Sequence, residues 1–182
     1  PYTTLFRSAC FGGVGPWIFS AADEATDNAY DDGATLAAPI TMQTDREFVT
    51  SRVLLAPRTR VFDALRDPAV LSRWWGPAGF RNSFEHFDFR PGGDWRFTMH
   101  APDGTAYVNH SVFAEIGDGE RVVFDHLSGH HFRMTITLAV IDEDDGDNGA
   151  ATLLCWRQVF DSAQERELIA AFVIGANEEN LD

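Results

Sequence analysis

The sequence predicts an α+β fold in which a curved antiparallel β-sheet wraps around a long C-terminal helix, with two short helices after the first strand. From Gly79 onward, apolar residues recur with a period of two in six successive segments, a spacing typical of half-buried strands. The connections between these segments are short and contain Gly, Asp or Pro, so neighbouring strands should be antiparallel. After Ser162 a helical period replaces the strand period.

The first elements are a strand and two short helices. Residues 48–55 are rich in β-branched and apolar side chains, which favours a strand. Ala56-Pro57 then opens a helix, because proline suits the first helical turn. Asp67-Pro68 starts the second helix, with Asp67 as the cap. Gly76 is the expected left-handed residue that ends this helix, and Pro77 prevents its continuation.

The sheet region contains six strand patterns, at roughly 80–90, 94–100, 105–116, 120–127, 131–142 and 150–160. The alternation is clearest in the fifth of these patterns, where the apolar residues that share one face are Phe132, Met134, Ile136, Leu138 and Val140. Arg133, Thr135 and Thr137 point to the opposite face. We therefore predict an antiparallel meander with one buried face.

The last helix begins with the capping-box pattern Ser162-Ala163-Gln164-Glu165. Apolar residues then recur at helical spacing, and they are Leu168, Ile169, Phe172, Val173 and Ala176. Glu178 and Glu179 place negative charge near the end of the helix, where it is unfavourable. We therefore expect the native helix to continue beyond Asp182, so that the chain is truncated at its C-terminus. Since a sheet with one apolar face needs a cover, this helix should lie across the sheet.

Composition limits the possible partners of the chain. The formal net charge is −14, and all 14 basic residues are arginine. Such an acidic surface repels phosphate backbones and anionic lipid, so we expect no nucleic-acid partner and no membrane partner. The spacing of the two cysteines implies neither a disulfide framework nor a metal site, and Cys155 is predicted to be a small core residue. We predict a cytoplasmic protein.

The domain boundary is predicted near residue 45. Residues 1–45 include an aperiodic, acidic stretch and an apolar piece too short to span a membrane. We interpret them as a disordered or artefactual leader. Residues 46–182 carry all the periodic segments and are predicted to form one domain.

Several motifs resemble those of a known family. They are Trp74-Trp75-Gly76-Pro77 with Gly79-Phe80, Phe87-Asp88-Phe89-Arg90-Pro91-Gly92-Gly93, Met99-His100-Ala101-Pro102-Asp103-Gly104 and the closing Gly175-Ala176-Asn177-Glu178-Glu179-Asn180-Leu181. From Arg46 to Asp182 the chain resembles the activator-of-heat-shock-protein-90-ATPase homologue-like branch of the SRPBCC (START-like) superfamily. The resemblance implies a helix-grip fold with an internal cavity between the sheet and the C-terminal helix.

The candidate ligand site follows from this implied cavity and from the aromatic residues. Helical spacing favours Trp74 as a core anchor, whereas Trp75 is expected to line the cavity opening. Trp95 and Phe97 share one strand face and should form a wall. The predicted ligand-binding residues are Trp75, Phe84, Trp95, Phe97, His110, Phe113, His126 and Phe172.

The sequence indicates a catalytic or metal site less clearly than it indicates an apolar ligand site. The six histidines fall in the strand region, and His126 and His131 flank a Ser-Gly turn as potential cross-strand neighbours. A metal site is not expected, because Asp125 and His126 point to opposite faces and no two histidines are spaced i, i+2. The acidic loop at 142–147 lacks the last carboxylate of a calcium loop and should be a solvated hairpin tip. We expect no cofactor.

Three functions remain open on sequence grounds. The first is binding of a small hydrophobic or amphipathic molecule in the cavity. The second is an enzyme, of cyclase, dehydratase or hydrolase type, which would need a titratable group such as His110 or His126 in the cavity. The third, suggested by the family name, is a co-chaperone-like domain that stimulates an ATPase. A homodimer and a chaperone are the protein partners considered, and no catalytic residue is assigned.

Overall fold

The computed structural model describes residues 40–43, 45–141 and 151–180. The side chains of 40–43, Phe172 and Glu178 are not described. Most of the predicted leader and the acidic loop at 142–147 therefore lie outside the described residues. The assignment of residues 1–45 as leader and 46–182 as one domain stays a prediction.

The described chain forms one antiparallel sheet. Its strands are β1 (Ile40–Gln43), β2 (Glu47–Leu54), β3 (Arg81–Phe87), β4 (Asp94–His100), β5 (Ala106–Gly117), β6 (Arg121–His126), β7 (Phe132–Val140) and β8 (Thr152–Phe160). Their spatial order is β1-β2-β8-β7-β6-β5-β4-β3, so β2 and β8 pair although they are distant in sequence. The remaining neighbours from β3 to β8 are consecutive strands, as short turns require.

Three helices accompany the sheet in the described chain: α1 (Arg58–Arg66), α2 (Pro68–Trp74) and α3 (Ala163–Asn180). The first two connect β2 to β3, and α3 follows β8 and packs against β2 and β8. Val173 of α3 is buried in a cluster with Phe48 and Phe160. This arrangement confirms the predicted α+β helix-grip fold, in which a curved sheet holds the C-terminal helix.

The helix ends follow the local sequence signals. The Asp67 carboxylate accepts a hydrogen bond from the backbone N–H of Ala69 at 2.8 Å, and Pro68 is the first residue of α2. The hydroxyl of Ser162 accepts from the backbone N–H of Glu165 at 3.1 Å, which is one half of the predicted capping box. Each cap satisfies a backbone donor that the helix itself leaves unpaired.

The inner face of the sheet, which carries Trp95, Phe124 and Trp156, forms the main core with α1 and α2. The alternation predicted for β7 is confirmed, since Met134, Ile136 and Leu138 are buried on this face while Arg133 is exposed. Inward side chains from the central strands thus meet the apolar faces of the helices.

Two features of the sheet differ from the sequence prediction. The strand β1 lies within residues 1–45, which are interpreted above as leader, and it pairs antiparallel with β2. Register shifts interrupt β3 between Phe84 and His86, and β5 between Phe113 and Glu115; such bulges bend a strand. Cys155 is buried as predicted at 1% exposure.

The Pro91-Gly92-Gly93 turn needs its two glycines for different reasons. Gly92 has a φ of 78° and open space where a Cβ would stand, whereas a Cβ on Gly93 would lie 1.9 Å from the backbone oxygen of Asp88. We expect Gly93→Ala to lower the free energy of unfolding by about 2 to 3 kcal/mol, because the backbone must shift. Gly92→Ala should cost about 1 kcal/mol, since alanine is strained in the left-handed region.

Urea unfolding of the two variants beside the native chain measures this difference. Equal losses for both glycines, or a larger loss at Gly92, would contradict the close approach of Gly93 to Asp88.

Candidate functional site

The candidate site is centred on Trp75, which follows the last residue of α2. Its backbone leaves the helical conformation, with φ −69° and ψ 123°. The centroid of its ring lies 4.9 Å from that of Trp95 and 4.9 Å from that of Trp156, and it is stacked on the latter. Trp74 lies 5.7 Å away in an edge-on arrangement. Trp75 is only partly buried, so it covers the buried indoles from the solvent side.

The floor beneath Trp75 consists of buried rings from several strands. Trp95 on β4 is 1% exposed and Trp156 on β8 is 2% exposed. Trp95 stacks on Phe97 at 4.6 Å and is parallel to Phe113 at 5.9 Å. Offset and edge-on geometries of this kind are the favourable ones for aromatic pairs. The further aromatic side chains packed into the same cluster are Phe62, Phe84, Phe87, Phe89, Phe124 and Phe132.

The C-terminal end of α3 holds the loop that carries Trp75. The backbone N–H of Gly76 donates to the side-chain oxygen of Asn180. Two residues on, the backbone N–H of Ala78 donates to the Glu179 carboxylate at 3.1 Å. Because these bonds link the loop to a separate element, the position of Trp75 depends on where the last turn of α3 lies.

Strand β3 holds the same loop from its other side. The amide of Asn82 donates to the backbone oxygens of Trp75 and Ser72, the second at 3.2 Å. Gly76 has a φ of 101°, and a Cβ there would lie 2.4 Å from the methyl carbon of Met99. The predicted left-handed glycine is thus confirmed, and it also lets the loop approach β4.

Several buried polar atoms around Trp75 have no hydrogen-bond partner within the described chain. They are the indole nitrogens of Trp74, Trp95 and Trp156, the hydroxyl of Thr50 and the side-chain oxygen of Asn82. Thr50 is 0% exposed and stands directly opposite Trp156 in the β2–β8 pair. Buried tryptophan N–H groups normally find a partner, so this concentration distinguishes the site from the rest of the core.

A second polar group lies on the inner face where β5 meets β6. The hydroxyl of Ser111 is 3.2 Å from Nδ1 of His126, and the hydroxyl of Ser128 is 3.3 Å from Nε2. The imidazole also stacks on Phe132, with a centroid separation of 4.7 Å. Burial lowers the pKa of His126 to about 4, and the neighbouring histidines act in the same direction. The ring is therefore neutral at pH 7.

His110 lies on the outer face of the sheet. Its Nε2 is 2.8 Å from the carboxylate of Asp94, which also accepts from Arg96 at 3.2 Å. The hydrogen bond from His110 holds the pKa of Asp94 below its usual value. Arg133 is exposed and pairs with Asp125 at 2.7 and 2.8 Å. His110 and Arg133 therefore do not converge with His126, which points to the other face.

Most, but not all, of this site is predictable from the sequence. Five predicted residues meet in the aromatic cluster, namely Trp75, Phe84, Trp95, Phe97 and Phe113. His126 lies beside the inner face and His110 does not, while the side chain of Phe172 is outside the described residues. Trp75, rather than Trp74, makes the central contacts.

The residues missed are Thr50, Ser111 and Trp156, which the strand register alone brings into the site. Ser111 stands opposite both Trp95 and His126, and Thr50 stands opposite Trp156. His126 faces Phe132, not His131, across the β6–β7 pair. No local signal marks either residue, since Ser111 follows His110 and Thr50 precedes Ser51 in mixed polar and apolar surroundings.

The fold and the inner aromatic face define a helix-grip domain, and comparison with known families agrees. The family model "Activator of Hsp90 ATPase homolog 1-like protein" matches residues 55–178. The chain therefore belongs to this family, which confirms the resemblance drawn from its motifs. None of the curated proteins matches the sequence at a significant level.

Solved structures share the fold at low sequence identity. A protein from Arthrobacter aurescens has a TM-score of 0.68 and 23% identity, covering 78% of this chain and 86% of its own. Protein NE0264 from Nitrosomonas europaea has a TM-score of 0.65 and 20% identity, with coverages of 76% and 91%. Protein CV1439 from Chromobacterium violaceum has a TM-score of 0.64 and 25% identity, with coverages of 74% and 91%.

Two properties of the described residues bear on partners. No helix among them is long and apolar enough to cross a membrane. Within the same residues, no group of three or more His, Cys, Asp or Glu side chains is arranged to hold a metal ion.

Proposed function

We propose that this domain binds a small hydrophobic or amphipathic molecule on the inner face of the sheet, in the volume that the ring of Trp75 occupies. The observation that carries the proposal is the packing of one partly exposed indole, on a loop, over two buried indoles at 4.9 Å each. The family fold, which is commonly a ligand-binding one, supports the same proposal.

The position of Trp75 makes it the residue that a ligand displaces. Its ring belongs to the loop after α2, so it can swing outward without breaking a strand pair. The loop is held by side chains of Asn82, Glu179 and Asn180 rather than by a sheet ladder. An aromatic ligand would replace the lost stacking, each pair of which is worth about 0.5 to 1.5 kcal/mol beyond area burial.

The charge of the chain restricts the ligand. With a formal net charge of −14, the chain repels anions at long range. Most of the side chains packed on the inner face below Trp75 are aromatic or aliphatic, and these favour apolar surface over charge. A neutral, largely apolar molecule fits both properties.

Titration with N-phenyl-1-naphthylamine, a neutral apolar fluorophore, tests the proposal. We expect saturable energy transfer from tryptophan to one probe per chain. Trp75→Ala should raise the affinity about tenfold, because the competent state no longer requires an indole to move. Val108→Ala, at a side chain that is 76% exposed, is the matched control and should leave the affinity unchanged. Absence of saturable binding to both the native chain and Trp75→Ala would refute the proposal.

One observation favours an enzyme as the second candidate. The Ser111 hydroxyl lies 3.2 Å from Nδ1 of the neutral imidazole of His126, which is the contact that a serine nucleophile and its base require. The other ring nitrogen faces the hydroxyl of Ser128 instead of an orienting carboxylate, and a pKa of about 4 makes the base weak. Binding therefore remains the first proposal, and a chaperone partner stays a prediction.

A further inference from the structure

We infer that the ligand carries a neutral hydrogen-bond acceptor, such as a ketone or ester carbonyl, which the hydroxyl of Thr50 and the indole N–H of Trp156 recognise. This inference rests on the proposed function, since it concerns the same volume beneath Trp75. It adds a chemical class to the ligand and two polar groups to an otherwise aromatic site.

The first step is the position of the unpartnered donors. Trp74, Trp95 and Trp156 each bury an indole N–H that has no partner within the described chain, and all three rings surround Trp75. A buried donor without a partner is destabilising, so such donors are rare in folded proteins. Their concentration around one displaceable ring indicates that a bound molecule supplies the acceptor.

Thr50 supplies the second step. It is 0% exposed, its hydroxyl has no partner in the described chain, and it pairs with Trp156 across the β2–β8 ladder. Side chains directly opposite one another share a face and lie within about 5.5 Å at Cβ. The proposed carbonyl oxygen has two lone pairs and can therefore accept a hydrogen bond from each of the two donors.

Two other sets of polar groups on the inner face have hydrogen-bond partners, in contrast to the groups around Trp75. The hydroxyl of Thr152, the first residue of β8, donates to the backbone oxygen of Ala56 at 2.7 Å. The amide of Asn177 on α3 donates to Gln158 of β8 at 2.7 Å, and both are buried. The fold thus pairs inward polar side chains of β8 on either side of Trp156, but not the groups around Trp75.

The unpartnered set around Trp75 is also biased toward donors. It holds three indole N–H groups and one hydroxyl, against the single acceptor oxygen of Asn82. The amide nitrogen of Asn82 already donates to the loop backbone, so we assign this residue to holding the loop and not to binding the ligand. Donors in excess require lone pairs from the ligand, and the negative net charge of the chain favours a neutral carbonyl over a carboxylate.

Two probes of nearly the same shape test the inference: 1-acetonaphthone, which carries a carbonyl, and 1-ethylnaphthalene, which does not. We expect the native chain to bind the ketone about tenfold more tightly, as measured by tryptophan quenching. Thr50→Val should remove most of this preference, measured as the ratio of the affinities of the two probes in the same variant. Thr135→Val, on the outer face of β7, is the matched control and should change neither affinity.

Indole N–H resonances give a second readout that does not depend on affinity. In the 15N-labelled chain, 1-acetonaphthone should shift the resonance that Trp156→Phe removes, and 1-ethylnaphthalene should shift it much less. Equal affinities for the two probes, or an unchanged preference in Thr50→Val, would overturn the inference and leave the proposed function standing. If neither probe binds the native chain or Trp75→Ala, both are overturned.

Discussion

Replacing Trp95 by alanine is expected to lower the free energy of unfolding by about 4 kcal/mol, the range measured for large aromatic residues in cores. Trp95 is 1% exposed and its ring lies at the centre of the aromatic cluster. The rings within 6 Å of its own are Trp75, Phe84, Phe87, Phe97, Phe113 and Phe124. Truncation removes all these contacts at once, and the strands on either side cannot close the gap.

Trp95→Phe and Val108→Ala are the controls for this prediction. The phenylalanine variant keeps part of the ring packing and removes an N–H that has no partner in the described chain, so its loss should be about half as large. Val108→Ala truncates a side chain that is 76% exposed on the neighbouring strand β5. It should lower the free energy of unfolding by less than about 0.5 kcal/mol. Urea unfolding measures all three. A loss below about 2 kcal/mol for Trp95→Ala would mean that the cluster is loosely packed.

Local signals made much of the fold predictable. The caps at Asp67 and Ser162 act within three residues of the chain, and the left-handed Gly76 is required by a single turn. The β7 alternation indicates directly which face is buried. Each of these features depends on residues that are close together in the sequence, so a sequence pattern can reveal it.

The site depends instead on long-range register and on where an element ends. Helical spacing assigns Trp74 to the core. However, α2 ends at Trp74 and the backbone of Trp75 is extended, so the helical period does not predict where the ring of Trp75 lies. His110 and His126 are both strand histidines, yet they face opposite sides of the sheet. The bulge after Phe113 changes which residues oppose each other, and no local pattern marks it.

The binding proposal and the enzyme alternative place different demands on His126. As a base it would need a raised affinity for protons, whereas burial lowers its pKa to about 4. As a structural group it needs to stay neutral, stacked on Phe132 and in contact with two serine hydroxyls. The surroundings of His126 keep its ring neutral, as the structural role requires. The stability of the folded chain should therefore depend on pH.

Acidification is expected to destabilise the domain by about 3 kcal/mol through His126 alone. The pKa of this histidine is 6.5 in the unfolded reference and about 4 in the folded chain, so the unfolded state binds more protons between these values. Stability is therefore fully present above pH 6.5 and is lost as the pH falls toward 4. A difference of about 2.5 pKa units at 1.36 kcal/mol each gives the magnitude.

His126→Gln separates this effect from other titrations, because glutamine can still reach the two serine hydroxyls and carries no charge. Carboxylates such as Asp94 and Asp125, whose pKa values are lowered by His110 and Arg133 respectively, destabilise both proteins equally as they protonate at lower pH. We compare urea unfolding of the native and variant chains at pH 7.5 and 4.5. The native chain should lose about 2 to 3 kcal/mol more than the variant over this interval. An equal loss in both would mean that His126 titrates normally, and hence that its ring is solvated rather than packed against Phe132.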